Sequence, residues 1–134
     1  MRSLGFAIFG VIALFAAGCT GRVGTVTGEV TVDGKPLEEG TITFSGAEIK
    51  ADPITEKIVN GKYRVVTSTG KKHVQISSMP VVGRKPEYNH PDAPLVDFRQ
   101  EVLPERYHSN KSNLNFEVMP GNNTKNWELT SNPD

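Results

Sequence analysis

The sequence has a single cysteine and no net charge. Cys19 is the only cysteine in 134 residues, so no internal disulfide can form and the fold depends on its hydrophobic core. The 15 basic and 15 acidic residues cancel. No basic patch is evident, so we expect no nucleic-acid partner. Helical periodicity is scarce, while glycine and proline recur throughout, a combination that favours short strands joined by turns.

Motifs for catalysis and for metal binding are also missing. The sequence has no H-x-x-E or H-E-x-x-H pattern, no G-x-S-x-G elbow and no glycine-rich phosphate loop. None of the three histidines, His73, His90 and His108, has a second histidine at the close spacing of a local ligand pair. His90 lies two residues from Asp92, which could form at most a weak cation site, and a solvated histidine is the better interpretation. We expect no metal, no cofactor and no enzyme activity.

The longest apolar run lies at the N-terminus and ends just before the cysteine. Arg2 precedes an apolar stretch over Leu4–Phe15, and small residues separate that stretch from Cys19. A basic start, about 7–15 apolar residues and a small-residue cleavage region define a secretory signal peptide. The stretch is shorter than the roughly 18 apolar residues of a spanning helix.

The residues around Cys19 resemble the lipobox of bacterial lipoproteins, in which the cysteine receives lipid and becomes the first residue after cleavage. Ala17 and Gly18 fit that pattern, whereas Ala16 stands where leucine is common. The resemblance implies a signal peptide over residues 1–18, a lipid-anchored tether over 19–23 and one folded domain over 24–134. Alternatively, Cys19 is removed with an ordinary signal peptide or remains as a free thiol.

Alternating apolar residues predict about seven short strands. The clearest alternations are Val26, Val30 and Val32; Ile42 and Phe44; Val74 and Ile76; Leu114, Phe116 and Val118; and Trp127 with Leu129. The dipeptides Asp33-Gly34 and Asn60-Gly61 predict tight turns. Gly46–Glu56 is expected to be a loop or a weak edge, and Leu95–Glu101 is ambiguous between strand and loop. This pattern predicts an all-β, antiparallel sandwich.

The segment GTVTGEVTVDGKPLEEGTITF resembles the opening of the carboxypeptidase regulatory-like domain, a family with a transthyretin-like sandwich. The matching motifs are V-x-G-x-V at Val26–Val30, D-G-x-P-L at Asp33–Leu37, G-x-I-x-F at Gly40–Phe44, G-x-Y-x-V at Gly61–Val65 and G-x-x-x-V-x-I at Gly70–Ile76. The tail is similar to that of small exported lipoproteins of planctomycete-type bacteria. The resemblance implies the fold and no particular activity.

The stretch Pro80–Pro94 holds four prolines and no periodicity, and we predict a long surface loop. Loops longer than about 12–15 residues are usually functional or disordered, so any partner is expected to contact this stretch. The residues favoured for that contact are Arg84, Tyr88 and His90. The alternative is a solvated connection between the two sheets.

The other aromatic residues divide by position. Phe44, Tyr63, Phe116 and Trp127 occupy inward strand positions and are predicted to be in the core. Tyr88, Phe98 and Tyr107 lie in or beside the long loop, and Tyr107 is expected to fold back onto the sandwich with its hydroxyl hydrogen-bonded.

Together these features predict a non-enzymatic, exported lipoprotein. It would be anchored through Cys19 on the periplasmic or cell-surface side of a bacterial membrane and would bind a protein or an envelope polymer. A carbohydrate-binding module is the alternative and needs two exposed, coplanar aromatic rings close together. A small hydrolase using Glu101 and Glu105 is third and needs a concave pocket with convergent polar groups. A protein-binding module needs only a flat face or an open sheet edge.

Overall fold

The structure is a computed structural model and describes residues 23–46 and 53–132. The predicted signal peptide and Cys19 lie outside these residues. Within them the chain forms eleven strands and one short helix: β1 (Val23–Val32), β2 (Lys35–Pro36), β3 (Glu39–Gly46), β4 (Ile54–Val59), β5 (Lys62–Ser68), β6 (Gly70–Ser77), β7 (Val81–Pro86), β8 (Leu95–Arg99), α1 (Glu105–His108), β9 (Leu114–Val118), β10 (Gly121–Thr124) and β11 (Trp127–Leu129).

Nine of these strands form one curled sheet. Its order is β10-β1-β5-β4-β3-β6-β9, and β2 and β11 also pair with β1. The two ends of the sheet meet, because Gly24 of β1 lies against Val118 and the carbonyl of Met119 at the end of β9. The all-β sandwich expected from the sequence is confirmed. The parallel pairing of β10 and β11 with β1 is an addition to the expected antiparallel arrangement.

The core fills the inside of the curl. Phe44 of β3 and Tyr63 of β5 meet across it with ring centroids 6.4 Å apart. Both are buried, as is Trp127, so these three core predictions are confirmed. Phe116 is only partly buried and packs against the edge of the cluster. The buried apolar residues are Val26, Val30, Leu37, Ile42, Phe44, Ile58, Tyr63, Val65, Val74, Ile76, Leu103, Tyr107, Val118, Trp127 and Leu129.

Two tight turns form where the sequence predicts them. Asp33 and Gly34 have φ angles of 51° and 80°, and Asn60 and Gly61 have φ angles of 52° and 77°. Positive φ at both central residues defines the type I′ turn, which favours Asn-Gly and Asp-Gly because its twist matches that of the flanking strands.

Of the two expectations for Gly46–Glu56, a loop or a weak edge, the loop is wrong at the C-terminal end. Ile54 already belongs to β4 and pairs with Phe44 of β3. The beginning of this strand is hard to predict from sequence because Ile58, beside the Asn60-Gly61 turn, is its only fully buried residue, so the apolar alternation is weak. Residues 47–52 lie outside the described part of the chain.

The prediction of a long loop over Pro80–Pro94 is wrong for Val81–Pro86, which forms β7, whereas residues 87–94 form the connection to β8. The ambiguous stretch Leu95–Glu101 is a strand over Leu95–Arg99. β7 and β8 pair with each other as an antiparallel, two-stranded sheet that is separate from the main sheet. All six residues of β7 are exposed, so neither face needs to be apolar and the two-residue period is missing. We call residues 80–100 the arm.

The arm leaves the sandwich at the end opposite to the start of the described chain. Val23 pairs with Ser68 at the end of β5, and β6 begins close by at Gly70. β6 then runs eight residues to Ser77, which pairs with Thr41 near the start of β3. At about 3.3 Å per residue this separates the base of the arm from Val23 by roughly 25 Å.

Candidate functional site: an exposed two-stranded arm

The two faces of the arm have different chemistry. On one face Arg84 lies opposite Asp97, with Nε 3.7 Å from Oδ1. The Nη2 atom of Arg84 also donates a hydrogen bond of 2.8 Å to the carbonyl of Leu95. On the other face the Lys85 ammonium lies 4.6 Å from the centroid of the Phe98 ring. Salt bridges and cation–π contacts at such exposed positions contribute little stability each, so these side chains are available to a partner.

The residues favoured for partner contact lie at two different places on the arm. Tyr88 and His90 are together at the tip, with ring centroids 6.5 Å apart and planes tilted by 46°. The His90 Nδ1 atom accepts a hydrogen bond of 3.2 Å from the Asp92 amide. Arg84 belongs instead to strand β7, where it contacts β8. The binding role of all three remains a prediction.

Exposed apolar side chains follow the arm from its base to its tip. Their exposure is between 37% for Phe98 and 55% for Tyr88. They comprise Val81, Val82, Tyr88, Leu95 and Phe98, with Met79 and Val102 beside the base. Leu95 and Phe98 are three positions apart on β8 and therefore lie on opposite faces of the arm, so both faces expose apolar side chains.

The two edges of the arm are not equivalent. The β7 edge is flanked by Pro80, ends at Pro86 and contains a bulge between Val81 and Gly83. Proline and bulges are the usual devices that prevent an edge strand from pairing with another chain. Strand β8 has neither within Leu95–Arg99, and β7 is its only partner strand among residues 23–46 and 53–132. Its outer edge is therefore suited to pairing with an added strand.

Glu101 fixes the base of the arm to the sandwich. Its carboxylate accepts hydrogen bonds from the Ser77 hydroxyl, from the Ser78 amide at 2.9 Å and from the Leu103 amide at 3.0 Å. Three donors, from residues before and after the arm in the chain, thus bind one side chain. Glu105, in the exposed first turn of α1, takes no part in this arrangement.

A groove of about 570 Å³ lies between the base of the arm and the strands β3 and β4. Met79 and Val59 are exposed along it. Arg99 closes one side, since its Nη1 atom donates to Glu39 Oε1 at 3.4 Å and to the carbonyl of Met79 at 3.0 Å. This ion pair ties the last residue of β8 to the sandwich.

Tyr107 folds back onto the sandwich as expected. It is buried, and its hydroxyl accepts a hydrogen bond of 3.2 Å from the Thr130 amide. His73 is also engaged in the fold, with Nε2 2.8 Å from the carbonyl oxygen of Ser112. Across the described ranges, no group of three acidic, histidine or cysteine side chains is placed to hold a metal ion.

The sequence did not single out the β8 edge. The available signal was the proline-free stretch Leu95–Arg99, in which Val96 and Phe98 alternate with Asp97 and Arg99. That alternation predicts a strand but does not reveal that one edge lacks a partner, because strand order is a property of the fold.

No helix in the described part of the chain is long and apolar enough to cross a membrane. Comparison with known proteins found no matching protein-family model, no matching curated protein and no matching solved structure. The assignment of function therefore depends on the arm and on the sequence motifs.

Proposed function

We propose that this chain is a non-enzymatic, exported lipoprotein that binds a protein of the cell envelope through its arm. In this proposal the transthyretin-like sandwich is a spacer, and Cys19 attaches it to the membrane. The observation that carries the proposal is the outer edge of β8, with which no second strand of the described residues pairs, on an exposed arm that begins at the end of the sandwich opposite to Val23.

The position of the arm supports a role away from the membrane. A lipid on Cys19 would lie four residues before Val23, where β1 begins. Because β6 carries the chain roughly 25 Å from that end before the arm begins, the arm would be presented to molecules beyond the lipid surface. The tether and the sandwich then set the distance between the membrane surface and the bound partner.

The chemistry of the arm favours a protein over a sugar. Within the described chain the exposed aromatic residues are Tyr88 and Phe98. Tyr88 is tilted against His90, and Phe98 lies beneath the Lys85 ammonium, so neither belongs to a flat pair of rings. An open strand edge, in contrast, offers backbone hydrogen bonds to an extended segment of protein, with side-chain contacts on alternate positions.

Removal of the arm tests the proposal. The Gln100 amide lies 3.4 Å from the carbonyl oxygen of Pro80, so a short Gly-Ser link between these residues can replace 81–99 without disturbing the sandwich. Envelope proteins bound to the full chain would be compared with those bound to this variant. The control replaces only the tip, residues 88–93, with glycine and serine.

We expect the variant without the arm to lose its partner and to keep the far-ultraviolet circular dichroism of a β-sandwich. The tip variant should retain the partner if the β8 edge carries binding. An unchanged set of partners after removal of the whole arm, with the sandwich intact, would refute the proposal.

A further inference from the structure

We propose that the partner of the β8 edge is the β8 edge of a second copy of this chain. Two arms would join around a two-fold axis into a four-stranded, antiparallel sheet with the order β7-β8-β8-β7. The inference rests on the proposed function, because it names the protein that the arm binds.

The edges of the arm allow this pairing in one way only. Pairing through β7 would bring together strands that end at Pro86 and carry Arg84 and Lys85 side by side. Proline cannot donate a hydrogen bond to the new strand, and like charges on facing strands are destabilising. Strand β8 carries one charge of each sign and contains no proline, so two copies of it can pair.

The charges of β8 select the register. In an antiparallel pair around a two-fold axis, one residue lies opposite its own copy. With Asp97 at the axis, two carboxylates would face each other. With Phe98 at the axis, Asp97 of each copy lies opposite Arg99 of the other copy. This register forms two ion pairs on one face and an aromatic pair on the other, both favourable across facing strands.

The side chains needed for this register are accessible. Asp97 and Arg99 have exposed fractions of 59% and 54%, and Phe98 is 37% exposed. The contacts of Arg99 with Glu39 and Met79 both use Nη1, so its remaining donors can reach the Asp97 carboxylate of the second copy. Lys85 of each copy would flank the central pair of phenylalanine rings.

One added strand pair buries less surface than the roughly 1,200–2,000 Å² of a stable interface. The dimer is therefore expected to be weak in solution. Attachment of both copies to one membrane would raise their effective concentration to the millimolar range. At that concentration the dimer would be populated.

A charge exchange tests the register. In Asp97→Arg, two arginines face each other at both 97–99 contacts of the dimer, and in Arg99→Asp, two aspartates do. Each variant should therefore self-associate at least about tenfold more weakly than the wild type. A mixture of the two variants restores opposite charges at both positions and should associate about as tightly as the wild type. Sedimentation of the full chain up to about 1 mM, the range that anchoring supplies, measures all three, and circular dichroism checks each fold.

A thiol placed at the axis gives a second, independent test. In a full chain carrying Cys19→Ser, the Phe98→Cys variant should form a disulfide-linked dimer under mild oxidation, because cross-strand distances suit a disulfide. Val96→Cys is the matched control, since Val96 would face Gln100 of the second copy and should form much less dimer.

The outcomes separate this inference from the proposed function. A wild-type chain that stays monomeric up to about 1 mM and forms no disulfide through Phe98→Cys overturns the inference. So does a dimer that neither charge variant weakens. If the arm still captures a different envelope protein, the proposed function stands without the inference. If removal of the arm alters no association of any kind, both fail.

Discussion

Trp127 and Tyr63 are joined inside the sandwich by a hydrogen bond of 3.2 Å from the indole nitrogen to the tyrosine hydroxyl. That hydroxyl in turn donates a hydrogen bond of 2.6 Å to the carbonyl of Lys125. The chain of two hydrogen bonds holds the segment between β10 and β11 against β5. It explains how the last strands, which run parallel to β1, are held in register.

Replacing Tyr63 by phenylalanine should destabilise the protein. The change leaves the indole N–H and the Lys125 carbonyl without their partner, and an unsatisfied buried polar group costs about 1–3 kcal/mol. The control is Tyr88→Phe at the exposed tip of the arm, which should change the free energy of unfolding by less than about 0.5 kcal/mol. Equal effects of the two changes in chemical denaturation would contradict the described packing.

The same tyrosine predicts a loss of stability at alkaline pH. Burial raises the pKa of Tyr63 to about 12, whereas an unfolded tyrosine titrates near about 10. Between these values the unfolded chain binds fewer protons than the folded chain, so the free energy of unfolding falls as pH rises. Denaturation at several pH values should show this fall in the wild type and a smaller fall in Tyr63→Phe.

Two glycines in strands should differ in how far their replacement by alanine lowers stability. A Cβ on Gly28 would overlap the carbonyl of Lys125, whereas a Cβ on Gly83 in the arm would meet nothing within 4 Å. Gly28→Ala should therefore force β1 away from the segment before β11 and lower the melting temperature by several degrees. A Gly28→Ala protein as stable as the Gly83→Ala protein would show that this close approach does not exist.

Removing the carboxylate at the base of the arm should loosen the arm locally. Glu101→Ala leaves the amides of Ser78 and Leu103 without an acceptor, so hydrogen exchange at both amides should accelerate. The matched control is Glu105→Ala, since Glu105 is exposed in α1. Unchanged exchange in Glu101→Ala would mean that other contacts fix the arm.

Cys19→Ser tests the predicted anchor. A lipoprotein carries several acyl chains, and stable anchoring requires more than one. The wild type should take up a fatty-acid label and partition into detergent, whereas Cys19→Ser should do neither. A wild type that is soluble and unlabelled would contradict the anchor and leave the arm on an unattached protein.

The sequence predicted the parts of the fold in which a buried strand face or the backbone angles of a turn restrict the residue type. Val26 and Val30 recur on one side of β1 because that face is buried, and the positive φ angles of a type I′ turn favour Asn60-Gly61. The residues of β7 are all exposed, so Val81–Pro86 has no apolar period and is predicted to be a loop, whereas Leu95–Arg99 alternates weakly and is left ambiguous between strand and loop. The hydrogen bonds of Glu101 and the open edge of β8 depend on contacts between distant segments, which periodicity does not contain.

Site-specific cross-linking in intact cells tests the central claim most directly. A photoreactive side chain would replace Leu95 on the arm or, as the control, Val66 on β5, two apolar residues exposed by 52% and 46%. The account predicts a discrete cross-linked product from position 95 and none from position 66. Products from position 66 alone, or none from either position, would contradict the claim that the arm is the binding element.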